Sequence, residues 1–233
     1  MRAILILTAV ELEARVLARA LELPVLAARP SFEFGRGAVR LATVGLGAAR
    51  LGSRWPSLLD GLDRPLVISA GLCGGLDPRL APGDLLLPEH VVGPAGELHH
   101  VTPSCHRSAV ARAPSASTGP LVTTRDVVAT PEAKAALFAR TGAVAADMES
   151  AHILRAAAGA GLPSLVVRGV SDDARQSLPP ELIRLVTPEG TMRLAGAMAL
   201  ITRPAVLPVA LGLRRATGRA LRAVAGLLAA LTG

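Results

Sequence analysis

Short apolar runs alternate with stretches of helical spacing along most of this chain. Arg2–Leu7 is an apolar run ending at Thr8, the pattern of a strand covered on both faces. Val10, Ala14, Leu17 and Leu21 follow at helical spacing. Val39–Val44 is rich in strand-forming residues, and Gly45-Leu46-Gly47 closes it before a helical stretch that runs to Leu59. Leu66–Ser69 reads as another buried strand, with a glycine-rich loop over Ala70–Gly75. Asp84–Val92, Ala143–Ala145 and Leu165–Arg168 read as strands, and Pro131–Arg140 and Met148–Ala160 as helices. This alternation predicts a single α/β domain with a mixed, mostly parallel central sheet flanked by helices. Gly93–Pro120, rich in Pro, Ser, His and Gly, reads as a long surface excursion.

The end of the chain has a different pattern. Across Leu207–Leu231, Arg215, Arg219 and Arg222 share one helical face, and Leu213, Ala220, Val224, Leu228 and Leu231 lie roughly opposite. From Thr191 to Gly233 there is no acidic residue but there are six arginines, so most of the net charge of +7 sits there. The expected organisation is a main domain over residues 1–202 and a basic amphipathic helical appendage over 203–233. Such a helix is a means of reaching an anionic membrane surface; its alternative is to pack on the body or on a partner subunit with its arginines in water.

Composition narrows the rest. A chain of 233 residues with 51% hydrophobic content can bury a core without a disulfide scaffold. Cys73 and Cys105 stand isolated, with neither metal-ligand spacing nor a disulfide framework, so a reducing, cytoplasmic setting is expected. The first apolar run breaks at Glu11 and Glu13, too early for a signal peptide, and no uninterrupted apolar stretch reaches membrane-spanning length. His99, His100 and His106 fall in the excursion and read as exposed loop histidines, and no metal is expected. The basic tail lacks the interleaved aromatics with which proteins stack nucleic-acid bases, so nucleic acid is not an expected partner.

In an open α/β sheet, ligands bind beyond the carboxyl ends of the strands. Glu11 and Glu13 follow the first strand, Gly71–Gly75 a central one, Asp147-Met148-Glu149-Ser150 a later one, and Ser171-Asp172-Asp173 the last. Any one acidic residue there reads first as a helix cap. Several together point to chemistry, because a partly buried carboxylate has a tunable pKa.

Four segments together resemble the purine nucleoside phosphorylase and nucleosidase superfamily. They are Ala9-Val10-Glu11-Leu12-Glu13, Ser69-Ala70-Gly71-Leu72-Cys73-Gly74-Gly75-Leu76, Ala146-Asp147-Met148-Glu149-Ser150, and Arg168-Gly169-Val170-Ser171-Asp172. Their order and spacing match across Met1–Ala174, and the similarity is greatest to the methylthioadenosine/adenosylhomocysteine nucleosidase branch. The resemblance implies cleavage of the N-glycosidic bond of an adenine nucleoside by a homodimer that needs no cofactor. It implies that Glu13 activates water and that Asp172, held by Ser171, protonates purine N7. Glu149 would bind the ribose hydroxyls and Met148 would pack on the sugar. Val127 and Val128 would line the base, the Val128 backbone reading its edge, and Gly71, Leu72 and Cys73 would bind the substrate from the glycine-rich segment.

The departures bear on the substrate and on the nucleophile. Aspartate stands at 147 where the pattern has glutamate, Val127 replaces an aromatic, and Leu72 sits at a position where a small polar residue is common. Phosphorylases of the superfamily place an arginine just before the glycine-rich segment, where this chain has Ser69, and a phosphate-binding Gly-Asp-Pro segment is replaced by Thr8-Ala9-Val10. Both departures favour water over phosphate. Phosphorolysis, with phosphate as co-substrate held by Arg36, Arg40 or Arg50 within the chain or across a subunit interface, stays open, as does a nucleoside-binding module without catalysis. Leu178-Pro179-Pro180, Arg203–Pro208 and the basic helix loosely resemble hopanoid-biosynthesis-associated phosphorylase-like enzymes. That likeness implies adenosylhopane, a lipid-linked nucleoside, as substrate and the inner membrane face as a peripheral location.

Overall fold

The computed structural model describes residues 2–28, 31–180, 187 and 207–233. The strands are β1 (Ile4–Thr8), β2 (Val25–Ala27), β3 (Glu33–Arg36), β4 (Val39–Thr43), β5 (Leu66–Gly75), β6 (Leu85–Leu86), β7 (His90–Val92), β8 (Leu98–His100), β9 (Leu121–Thr123), β10 (Ala145–Asp147) and β11 (Ser164–Asp172). The helices are α1 (Glu11–Ala20), α2 (Leu51–Leu59), α3 (Pro103–Arg112), α4 (Pro131–Thr141), α5 (Ser150–Gly159) and a C-terminal helix, Leu207–Thr232. The strands form one mixed sheet. Its centre, β4-β1-β5-β11, is parallel, while β2, β3, β6 and β8 join antiparallel. β10 is antiparallel to β5 and parallel to β9.

β1 shows why its sequence is apolar throughout. Ile4 and Ile6 belong to a core shared with α1, α3 and the C-terminal helix, whereas Leu5 and Leu7 belong to a core shared with α2 and α5. Side chains alternate between the faces of a strand, so a sheet covered on both sides needs apolar residues at every position.

The sequence reading places a loop at Ala70–Gly75, but this stretch is the second half of β5. These strand positions are glycine because neighbouring side chains occupy the space a Cβ would need. A Cβ on Gly71 would stand 2.6 Å from Glu13 Oε1 and 2.6 Å from Arg168 Nη1; on Gly74 it would stand 3.2 Å from Asp172 Oδ2. Glycine here serves close approach rather than a turn. Asp84–Val92, expected as one strand, is divided into β6 and β7.

Gly93–Pro120 is not a bare excursion either. It contains β8 and α3, and the inner face of α3 buries Cys105, His106 and Ala109. His106 is therefore a core residue, its Nε2 2.9 Å from the Leu87 carbonyl, while His100 is exposed as expected.

The C-terminal helix packs on β11, β5, α1 and α3. Ala216, Ala220, Leu221, Val224, Ala225, Leu227 and Leu228 are buried, and Arg214, Arg215, Arg219 and Arg222 are exposed. The amphipathic pattern is real, but the apolar stripe a bilayer would need is covered by the sheet. The helix is thus a structural layer rather than a free appendage; the expected boundary at 202/203 lies outside the described residues. Among the described residues, no helix is long and apolar enough to cross a membrane.

This helix comes close to the sheet at Gly169 of β11, where an added Cβ would lie 2.7 Å from the Ala220 carbonyl oxygen. Gly169→Ala should destabilise the fold by about 1–3 kcal/mol, since backbone must move. Gly52→Ala, on α2 with open space around it, should be neutral or stabilising by up to about 1 kcal/mol. Denaturant midpoints of the two variants check the contrast.

Candidate active site

The ends of β1, β5, β10 and β11 meet the starts of α1 and α5 around one cleft of about 200 Å³. α1 begins directly after β1, leaving the first backbone N–H groups of a helix without partners. Glu13 turns back to satisfy them. Its Oε2 accepts from Ala9 N (3.1 Å) and Val10 N (3.3 Å), while Oε1 accepts from Leu72 N on β5 (2.9 Å). The carboxylate is pinned by backbone and only 4% exposed. Burial raises its pKa against the opposing effect of Arg168 and those three donors.

Glu149 stands just before α5 and accepts from Gly47 N at 2.9 Å. Burial, and then the charge of Asp147, push its carboxyl up to about 8. Asp147 closes β10. Its Oδ1 accepts from Thr123 Oγ1 (2.7 Å), and its Oδ2 accepts from Ser150 N (3.0 Å) in the first turn of α5.

Arg168 ties these acids together. Its side chain is 1% exposed, with Nη2 2.7 Å from Asp147 Oδ2 and 3.9 Å from Glu149 Oε2. The same nitrogen donates to Ser69 Oγ (2.8 Å) and Ser150 Oγ (3.1 Å). Nη1 has no hydrogen-bond partner among the described residues. It lies against the bare face of Gly71, with Glu13 Oε1 on the same spot. A buried donor without an acceptor beside a carboxylate is a place for a small polar molecule.

At the end of β11 the register against β5 shifts between Val170 and Asp172. In an unbroken strand Ser171 and Asp172 would face opposite sides; the bulge lets both line the cleft. Ser171 Oγ lies 2.6 Å from Asp172 Oδ1 and 3.1 Å from the Cys73 carbonyl. Lys134 of α4 reaches Asp172 Oδ2 at 2.5 Å. Val127, Val128, Leu46, Leu76, Met148 and Leu178 give the cleft an apolar wall.

Of the residues expected at the site, Glu13, Glu149, Asp172, Met148, Ser171, Val127, Val128, Leu72 and Cys73 all line this cleft. Gly71 lies behind it, as the gap that admits Glu13 and Arg168. The sequence reading gave no role to Arg168, Lys134 or Asp147. Arg168 could have been noticed as a cation inside an apolar strand, which needs a buried anion. Lys134 carries no such signal, since a lysine on a helix between exposed alanines looks solvated.

The possible phosphate ligands are engaged elsewhere. Ser69 is fully buried against Arg168 and Ser150. Arg36 reaches Glu22, Arg40 the carbonyls of Ser57 and Leu58, and Arg50 the hydroxyl of Ser31; none lines the cleft. Among the described residues, no group of three or more His, Cys, Asp or Glu is placed to hold a metal ion.

Glu149 makes stability depend on pH. Its folded pKa lies above its unfolded value, so the folded state keeps a proton that the unfolded state has lost. Stability should therefore fall as pH rises from 4.5 to about 8. Melting temperatures across that window should drop more steeply for the wild type than for Glu149→Gln.

The family model of the phosphorylase superfamily matches residues 3–202. Futalosine hydrolase of Streptomyces coelicolor is 30% identical, with the match covering 72% of this chain and 83% of that protein. Among solved structures, futalosine hydrolase of Helicobacter pylori superposes with a TM-score of 0.72 at 17% identity, over 97% of this chain and 95% of that one. The 5′-methylthioadenosine/S-adenosylhomocysteine nucleosidase of the same organism, with butyl-thio-DADMe-Immucillin-A, gives 0.74 at 16% identity, over 100% and 98%. These two share the fold; the family match and the Streptomyces relative establish kinship, and the chain belongs to the phosphorylase superfamily.

Proposed function

We propose that this protein hydrolyses the N-glycosidic bond of a purine nucleoside. The observation that carries the proposal is the convergence of Glu13, Glu149 and Asp172 on one cleft with an apolar wall. Cleavage of such a bond passes through an oxocarbenium-like state, with positive charge growing on the sugar and negative charge on the base. Glu13, made more basic by burial, accepts a proton from water held between it and Arg168 Nη1. Glu149 accepts hydrogen bonds from the ribose hydroxyls, and Met148 packs on the sugar. Asp172 protonates N7, Ser171 steadies its carboxyl, and Val127 and Val128 border the base, with the Val128 backbone at its edge.

The nucleophile follows from the cations. Lys134 is the cation among the residues lining the cleft, and it is bonded to Asp172. A phosphate dianion in the cleft would meet carboxylates, and Lys134, the cation on its lining, has all three hydrogens engaged, which favours water.

For the base and the 5′ group taken together there are two readings. Adenosylhopane rests on the loose C-terminal likeness alone, because the buried stripe of the C-terminal helix withdraws physical support for membrane contact. Futalosine rests on the similarity to the Streptomyces futalosine hydrolase.

The test is base release, with and without phosphate, from adenosine, methylthioadenosine, adenosylhomocysteine, futalosine and adenosylhopane. Release independent of phosphate, yielding the free sugar, is expected; ribose 1-phosphate as product would overturn hydrolysis. Glu13→Gln should lower the rate by about 10²–10⁴-fold, and undiminished turnover would overturn its role as base.

A further inference from the structure

The reading of Asp172 as the acid, on which this inference rests, raises a question of proton supply. An acid must carry a proton, yet Asp172 stands in an ion pair with Lys134, Nζ to Oδ2 at 2.5 Å, with the two side chains 1% and 4% exposed. The other contacts of Nζ are the Asp173 carbonyl at 2.6 Å and the Gln176 carbonyl at 3.0 Å. An ammonium has three hydrogens, and here it has three acceptors. Neither carbonyl takes up a proton, so the Asp172 carboxylate is the base within the ammonium's reach. We propose that Lys134 is the proton reservoir for the leaving group, a positioning and charging residue that acts through Asp172.

The step balances as follows. A proton passes from Lys134 Nζ to the Asp172 carboxyl, and Asp172 gives a proton to purine N7. The glycosidic C–N bond breaks with its electron pair going to the purine. The water oxygen bonds to C1′, and the water's proton goes to Glu13. Lys134 ends as a neutral amine and Glu13 as a neutral acid, and exchange with solvent restores both. Lysine suits this role because it can give up a proton inside a protein, which arginine does not. Ser171 suits both states of Asp172. Its single hydroxyl hydrogen serves Oδ1 or the Cys73 carbonyl and leaves Oδ2, the oxygen that Lys134 reaches, to take the proton.

Other charged groups near Asp172 do not replace Lys134. Arg168 is paired with Asp147, with Glu149 beyond it, and Glu13 is held by backbone donors. Burial keeps the Cys73 thiol neutral, and Asp173 O serves Lys134. The side chain of Asp173 accepts from Arg175 N.

Two variants test the proposal against a purely structural role. Lys134→Arg keeps a positive charge but releases no proton. It should lose purine release by about 100-fold or more while far-ultraviolet circular dichroism and melting stay near wild type. Lys134→Met leaves Asp172 buried without its cation, so Asp172 takes its proton from solvent. Its purine release should recover as pH falls, through a range where the wild type gains nothing. If Lys134→Arg fails to fold, the pH profile of Lys134→Met decides. Lys134→Arg within about threefold of wild type, or a Lys134→Met profile parallel to wild type, overturns the proposal and leaves the nucleosidase reading standing. A wild-type protein that frees no base from any nucleoside removes that reading and this proposal with it.

Discussion

One buried guanidinium holds the site together. Arg168 sits in a central strand, against Asp147 and beside Glu149, with Glu13 across the gap at Gly71. Charges removed from water are costly unless paired, and carboxylates that crowd one another are costlier still. Arg168, itself on β11, allows β10, α1 and the start of α5 to bring acids to the same point. Gly71 of β5 is the complementary constraint, since a side chain there would displace Glu13 or Arg168 itself. Even so, the balance is incomplete: burial raises the pKa of Glu13 and Glu149, and that residual cost is what makes them responsive to a substrate's protons and charge.

Much of this was legible in the sequence, for reasons that differ by residue. Glu13, Glu149 and Asp172 could be read because acids at strand ends combine a positional rule with a chemical one. The strands around Ile6 and Val167 could be read because a strand covered on both faces must be apolar throughout. The glycine segment misled, because loops and close approach favour the same residue and only neighbours such as Asp172 tell them apart. Lys134 was invisible for a related reason. Its partner lies 38 positions away, and no local spacing records such a pairing.

The C-terminal helix shows the limit of amphipathic pattern. Val224 and Leu228 declare an apolar face, and Arg215 and Arg222 a basic one. The pattern says that the apolar face will be covered; it does not name what covers it. Ala220, small enough to meet Gly169, was the local sign of close packing on a strand, but small residues are common along this whole helix.

The carboxylates also bear on what the cleft would refuse. Glu13, Asp147, Glu149 and Asp172 outnumber Arg168 and Lys134, and both cations are already paired. A phosphate brought to this cleft finds carboxyl groups around it, and the cation on the lining, Lys134, has its three hydrogens taken by Asp172 and two carbonyls. Space lined by acids whose own cations are engaged offers a phosphate little to hold.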